Sequence, residues 1–445
     1  MPNAGSANPY KPCCIYGVPE HRPQGAGRAA HPQRADSIPV TSRTPHPPIH
    51  TMLYRVIFSL FVYLFLGFSQ GDVLTYIFSR ACGRPVPYFP WFWAIAATLT
   101  LLLIEMAVGR IRGRRERTAM SPQHGRYGFL HRGTPPCFPG MMATAFLAIV
   151  LVSWPFCTFA YIVKLLIASL LIYGVVRVIL IRFFLRSITR KRRWWTWHVV
   201  PLIHLIAVGL LMGIGAAATD VTHYELRTAY HLGSPHPEQA YQVGEKSLAT
   251  SPRLFALRCY LMTSDSTCLG SKIFEQPVPP TGGSALLLLP DDVQQQYTFP
   301  SDRLQALLGV QQQTQEKPLA YFQRAAHQAG LHPGAAADYY LCALLLERQI
   351  DVFAAALRVF YKSQIESHTL PTYYAQAMIM YKARRAHPIV RYEDPAIEEN
   401  YRNYSEMGDT IAAPDVRYNL TRRSYGNTYW WYFDYAPRLH DGAIR

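Results

Sequence analysis

The stretch RSITRKRRWWTWHVVPLIHLIAVGLLMGIGAAATD (Arg186–Asp220) separates an apolar amino-terminal half of the chain from a more polar carboxyl-terminal half. It opens with a cluster of cations, passes three tryptophans, and then runs without a charged residue from Val199 to Thr219. A helix of about 20 apolar residues crosses about 30 Å of hydrocarbon, and such helices carry Trp at the headgroup level with Lys and Arg on the cytoplasmic side. The stretch therefore predicts a spanning helix over 199–219 whose amino end lies inside.

Charge is divided unevenly along the chain. The first 219 residues hold 23 basic and 5 acidic residues, whereas the rest holds 21 and 23, so the net charge of +16 belongs to the front. Many of these cations lie beside long apolar runs, which favours retention on the inner side of a membrane over binding to nucleic acid. We therefore expect membrane lipids as partners and no nucleic acid. The residues expected to anchor the chain at the membrane are Arg110, Arg112, Arg114, Arg115, Lys191, Arg192, Arg193, Trp194, Trp195 and Trp197.

The apolar runs predict a transmembrane domain over 52–219. The expected spans lie at about 53–69, 88–108, 141–160, 165–185 and 199–219. Residues 141–185 are too long for one span, and two spans joined by a hairpin between Ser153 and Lys164 are expected, with a single crossing as the alternative. Five spans keep both arginine-rich segments inside and place everything after Asp220 outside.

The remaining segments differ in composition. Residues 1–51 contain ten prolines and no apolar period, so they are expected to be disordered or, because Met52 opens the first apolar run, a mis-annotated extension. Residues 220–436 are expected to form an extracytoplasmic helical domain, followed by a flexible tail at 437–445. The predicted fold class of the whole chain is all-α.

Within the outer domain, residues 335–347 and 352–361 show the clearest helix pair. Leu341, Leu344 and Leu345 share one face, and short connections force helices to pack as antiparallel neighbours. Ala356 and Phe360 fit the A-x-x-x-F element of a tetratricopeptide (TPR) repeat. The other consensus positions do not align, so a TPR-like repeat domain is expected and an irregular helical domain is the alternative.

Motifs for catalysis and metal binding are absent from the sequence. It contains no C-x-x-C, G-x-S-x-G, H-E-x-x-H, Walker or G-x-G-x-x-G pattern, so we expect no cofactor and no metal. Cys259 and Cys268 form either a disulfide or two buried thiols. Asp72, in the first outer connection, is either a helix terminator or the acidic residue of a catalytic site, and Glu105 is expected to reach the inner headgroups or pair with an arginine.

The segment Tyr425–Tyr435 holds seven aromatic residues in eleven positions. Tyr429, Trp430, Trp431 and Tyr432 are candidates for binding a partner, a glycan or a peptide. Two other interpretations are that the rings dock on the domain itself or rest on the membrane, since Tyr and Trp join an apolar body to a polar tip.

Four stretches carry a resemblance to a known family. They are Leu269–Phe274, Leu370–Ala377, Pro388–Val390 and Tyr425–Tyr432. With the spans before them, they resemble an uncharacterised family of Bacteroidetes-type multi-pass membrane proteins. The resemblance covers most of 52–435; it implies the architecture and carries no activity, cofactor or catalytic residue.

These observations favour a bacterial inner-membrane protein that is multi-pass and has an extracytoplasmic domain. Helical-repeat domains normally present surfaces for recognition, so a protein-interaction scaffold with a partner in the cell envelope is expected. The alternative is a membrane enzyme that acts on a lipid-linked or glycan substrate at the outer leaflet, with Asp72 in its site.

Overall fold

The structure, a computed structural model, describes residues 49–84, 86–118, 138–186, 193–216, 218–234, 236–264, 268–289 and 302–440. All of them fall within one compact unit, Pro48–Arg445. The predicted extension at 1–51 lies almost wholly outside the described residues, as do 441–445 of the predicted tail. The described residues form eighteen α-helices and no strand, which confirms the all-α class.

The amino-terminal helices form an apolar bundle. They are α1 (Ile49–Leu64), α2 (Gly71–Cys82), α3 (Pro90–Thr118), α4 (Phe138–Ser153), α5 (Phe159–Arg186) and α6 (Arg193–Gly215), with a π-helical turn at Phe65–Ser69. The expected hairpin after Ser153 corresponds to a break at residues 154–158. The core of this bundle contains Phe58, Ala94, Ala145, Ile149 and Val208, all nearly inaccessible to solvent.

Among the described residues, two to four helices are long and apolar enough to cross a membrane, compared with five predicted spans. Pro90–Ala107 and Phe159–Val176 qualify by length and composition, and the number among the described residues rises to four if two bent helix pairs each count as one span. The first pair bends by 84° between Ser69 and Gly71, and the second by 69° between Gly215 and Asp220. The predicted span at 141–160 is too long, because α4 ends at Ser153 and its 16 residues cover about 24 Å.

Two ends of the bundle can be identified from contacts. At one end, Arg55 of α1 approaches Glu105 of α3, whose side chain also lies against Gly140 at the start of α4. At the other end, the carbonyl of Gly215 in α6 accepts hydrogen bonds from Ser153 and Tyr161. Helices α1, α4 and α6 therefore run in one direction, and α3 and α5 run in the other.

The second half of the chain forms the helical domain that the sequence predicts to lie outside the membrane, and it is called the outer domain below. Its helices are α7 (Asp220–Leu232), α8 (Pro252–Ser264), α9 (Leu269–Lys272), α10 (Asp302–Leu308), α11 (Pro318–Ala329), α12 (Ala335–Leu346), α13 (Ile350–Phe360), α14 (Lys362–Glu366), α15 (Thr372–Arg384), α16 (Pro395–Thr410), α17 (Pro414–Tyr425) and α18 (Tyr429–His440). Two short 3₁₀ helices, Pro237–Gln242 and Gly283–Leu287, connect some of them.

Helices α12 and α15 lie at the centre of this domain. Residues 336–346 of α12 and 373–381 of α15 are buried around the whole helix circumference. A helix that is buried on every side requires neighbours on every side, and α12 is enclosed by α9, the 3₁₀ helix Gly283–Leu287, α11 and α13. The outer domain is thus built around two central helices, with α13, α16 and α17 on the outside.

Helix α7 belongs to both halves of the chain. Leu226 and Tyr230 pack in the core of the apolar bundle, whereas Ala229 and Leu232 pack in the core of the outer domain. Because these two pairs lie on different faces of one helix, α7 joins the bundle to the domain.

Candidate functional site

Asp72 lies where α2 meets α7. It is in the first turn of α2, where the helix dipole favours a carboxylate, and it is 2% exposed. The preceding Gly71 lies against Pro90 so closely that a Cβ atom would overlap the proline ring. The start of α2 is therefore fixed against the start of α3, and this fixes the position of the Asp72 carboxylate.

The carboxylate of Asp72 is fully engaged by its neighbours. Arg227 of α7 donates from Nε to Oδ1 at 3.1 Å and from a terminal nitrogen to Oδ2 at 3.0 Å. Tyr88 donates its hydroxyl to Oδ1 at 2.6 Å, and Nδ1 of His223 lies 3.3 Å from Oδ2. A bidentate arginine is the strongest common partner of a carboxylate, so the group is held as an anion.

These contacts determine what Asp72 can do. A general acid or nucleophile must reach a substrate atom, whereas both Asp72 oxygens are occupied and the side chain is enclosed. The arrangement joins α2 to α7 through the contact of Asp72 with Arg227. The sequence singled out Asp72 but gave no sign of Arg227, Tyr88 or His223, because the pairing spans 155 residues and depends on the bend before α7.

A second buried polar cluster surrounds Asp338 in the outer domain. Its Oδ1 accepts hydrogen bonds from Tyr361 at 2.5 Å and from Tyr374 at 3.0 Å. Cys268 lies 3.6 Å from the Tyr361 hydroxyl and Cys342 lies 3.5 Å from that of Tyr374. Burial raises the pKa of Asp338, although these donors act in the opposite direction.

The cysteines in this region are free thiols. Cys259 is buried and Cys268 is half-buried, and neither forms a disulfide. Burial and the nearby charge of Asp338 raise the pKa of the Cys268 thiol to about 12. Since the thiolate is the reactive form, we expect this thiol to react slowly at neutral pH.

The aromatic run at the carboxyl end is part of the core. Tyr429, Trp430, Trp431 and Tyr432 are at most 9% exposed. Trp430 packs against Tyr401 and the Tyr432 hydroxyl donates to the carbonyl of Leu346 at 3.0 Å. The four rings are therefore buried in the folded domain.

The stretches that carried the family resemblance meet in this same core. Gly270 lies against the ring of Tyr374, and Phe274 contacts the rings of Tyr373, Tyr429 and Tyr432. The amide nitrogen of Tyr429 donates to the side chain of Gln376 at 2.9 Å. The resemblance therefore follows residues that pack together.

The predicted membrane anchors are only partly described. Arg110 is exposed on α3. Arg112, Arg114 and Arg115 continue α3, and Arg193, Trp194, Trp195 and Trp197 begin α6, but their side chains lie outside the described part of the structure, as do residues Lys191 and Arg192 altogether. Glu105, expected to pair with an arginine, has its Oε1 at 3.9 Å from Nε of Arg55.

A cavity of about 230 Å³ lies at the start of α10 and α11. Its lining consists of Leu288, Leu289, Leu304, Gln305, Gln312, Gln313, Thr314 and Tyr321. Among the described residues, this lining includes no carboxylate, histidine, lysine or cysteine. Within the described ranges, no three His, Cys, Asp or Glu side chains are grouped closely enough to hold a metal ion.

Comparison with known proteins gives one match. Residues 302–436 match the model of a family described as "Family of unknown function (DUF6057)". Neither a curated protein nor a solved structure is matched. The matched region contains Tyr361, Tyr374 and Tyr429. Their contacts with Cys268, Gly270 and Phe274, respectively, show that the folded domain begins before residue 302.

Proposed function

We propose that this chain is a multi-pass protein of the bacterial inner membrane whose extracytoplasmic helical domain is a scaffold for a protein partner in the cell envelope. The observation that carries the proposal is the dual packing of α7, which belongs to the apolar bundle through Leu226 and Tyr230 and to the outer domain through Ala229 and Leu232. A domain joined in this way is held at the membrane surface.

The exposed side chains of the bundle support its insertion in lipid. Large aromatic residues project from the outer ends of α1, α3, α4 and α5: Phe68, Phe89, Phe92, Trp154 and Phe159, each at least 60% exposed. In the apolar part of α5, Phe159–Val176, only 11% of the 18 residues are buried. Such a surface is unfavourable in water and typical of a helix in hydrocarbon with an aromatic belt at its edge.

The helix directions support five crossings. Helices α1, α4 and α6 run one way and α3 and α5 the other, as the contacts at Glu105 and Gly215 indicate. An odd number of crossings puts the outer domain on the side opposite the start of α1, and arginine-rich segments remain inside. Because α4 has only 16 residues, it can cross the membrane only where the hydrocarbon layer is thinner than about 30 Å or if residues 154–158 complete the crossing.

The outside of the domain supports recognition of a protein. Val352 and Val359 lie two turns apart on α13, and Val416 and Leu420 lie one turn apart on α17, all at least 45% exposed. Consecutive helices pack as hairpins, which favours a TPR-like arrangement. Because α12 and α15 are enclosed, recognition falls to the outer helices α13 and α17.

Site-specific photo-crosslinking in cells tests this proposal. A photoreactive amino acid is placed at Val352, Val359, Val416 or Leu420, with the exposed polar positions Gln328 and Glu399 as controls. The scaffold predicts one recurrent crosslinked protein from an apolar position and none from the controls, and the crosslink persists in Asp72→Asn. Crosslinks of equal yield at every position, or none anywhere, contradict the scaffold.

A further inference from the structure

The contact between α2 and α7 is more than a packing interface. These helices follow the two bends, of 84° and 69°, at which the chain leaves α1 and α6. At each bend the helix is interrupted for at most four residues. The direction of the short helix that follows is therefore not set by the helix before it. Because α7 also packs against α8 in the outer domain, its contacts with α2 help to set the position of that domain relative to the bundle.

The polar contacts across this interface are few and specific. One is the bidentate pair of Asp72 and Arg227, and another is the hydrogen-bond contact of Ser79 with Tyr230 at 3.2 Å. Tyr88, on the connection between α2 and α3, contacts the rings of Tyr230 and His231. The charged contact is thus flanked by neutral ones.

The two members of the charged pair differ in their surroundings. The side chain of Asp72 is 3% exposed and that of Arg227 is 43% exposed. Without Asp72, the guanidinium of Arg227 can still be solvated by water. Without Arg227, the carboxylate remains buried with Tyr88 and His223 as its remaining side-chain partners among the described residues, and an uncompensated buried charge is strongly unfavourable.

We propose that Asp72 and Arg227 form an interhelical lock that fixes the outer domain against the membrane bundle and whose release lets α7 move relative to α2. The lock is a conformational device, and it holds whether or not the domain binds a partner. The lock predicts an asymmetry: loss of Arg227 releases α7 more than loss of Asp72 does. Removal of both side chains should have the same effect as loss of Asp72 alone.

Hydrogen–deuterium exchange of the full chain in lipid nanodiscs measures this directly. The variants are Arg227→Gln, Asp72→Asn and the double variant. Ser79→Ala, which removes an uncharged contact at the same interface, is the control. We expect α7 amides to exchange about 100-fold faster in Arg227→Gln and about tenfold faster in Asp72→Asn, with α15 amides unchanged. The double variant should match Asp72→Asn, because no buried charge then lacks a partner.

Other outcomes overturn the lock. Equal effects of Arg227→Gln and Asp72→Asn, or additive effects in the double variant, would show that the pair is not coupled in this way. Faster exchange in α15 together with α7 would mean that the pair maintains the domain fold rather than its position. If Arg227→Gln does not accumulate, the double variant decides: it must accumulate normally and behave as Asp72→Asn, and its failure to do so contradicts the lock.

Discussion

Gly270 and Tyr374 touch so closely that a side chain at position 270 would overlap the tyrosine ring. Gly270 lies in a one-turn helix before the family-matched region, and Tyr374 lies at the centre of the domain in α15. The ring of Tyr374 in turn donates its hydroxyl to Asp338. The contact therefore places a buried polar cluster as well as two helices.

Substitution Gly270→Ala should destabilise the outer domain by about 1–3 kcal/mol, because the added methyl group forces the enclosed ring to move. Gly408→Ala is the matched control, since that glycine is inside α16 with no atom near the added Cβ, and it should stabilise by about 0.5–1 kcal/mol. The free energy of unfolding in urea, followed by circular dichroism, checks both. A neutral Gly270→Ala would contradict the close contact.

Trp430→Ala should cost about 3–5 kcal/mol of unfolding free energy, because the ring is 2% exposed and its removal leaves a cavity among tyrosines. Leu420→Ala on the exposed face of α17 should cost less than about 0.5 kcal/mol. The same urea titration compares the two. If Trp430→Ala leaves stability intact while abolishing a crosslink, the aromatic run is a binding surface instead of part of the core.

The thiol of Cys268 should react at least about 100-fold more slowly with iodoacetamide at pH 7.5 than the exposed thiol of Cys82, because its raised pKa keeps it protonated and the domain shields it. Peptide mass spectrometry after timed alkylation gives both rates in one sample. Mild urea that unfolds the domain should remove the difference. Equal rates in the folded protein would show that the Asp338 cluster is open to solvent.

Asp338 should make the stability of the outer domain depend on pH. Its pKa is raised in the folded state, mainly by burial, so the protonated form stabilises the fold. This stabilisation is fully present below the unfolded pKa of about 4 and is lost as the pH rises through the folded value.

The neutral variant Asp338→Asn retains an oxygen for Tyr361 and Tyr374 and removes this titration. Wild-type unfolding free energy should therefore fall relative to that of the variant as the pH rises from 4. Urea titrations across this range give the difference, and a difference that stays constant or grows with pH would reverse the assigned direction.

Apolar length, helical period and local composition were enough to predict the all-α class and the approximate positions of the apolar helices. Val199 to Thr219 carried the signal for α6, although the structure ends that helix at Gly215, because sequence hydrophobicity does not register a bend. The same limit applies at Ser69, where the π-helical turn precedes α2. The number of complete spans could not be fixed for this reason.

The site depended on contacts that sequence spacing does not encode. Asp72 was noticed as an acidic residue in the first outer connection, but its partner Arg227 lies on a helix that follows the bend after α6. Asp338 was not predicted as a site residue, because a single acid in an alanine- and leucine-rich helix is usually on the surface. Its burial follows from contacts with Tyr361 and Tyr374, which are distant in the sequence.

Topology is the most direct test of the central claim that an outer helical domain is held at the membrane by the bundle. Alkaline phosphatase and a cytoplasmic fluorescent reporter are fused in turn after Arg117, after Arg193 and after Asp220. An extracytoplasmic domain predicts fluorescence without phosphatase activity at Arg117 and Arg193, and phosphatase activity at Asp220. A fluorescent and inactive fusion at Asp220 would place the domain in the cytoplasm and contradict the proposed topology.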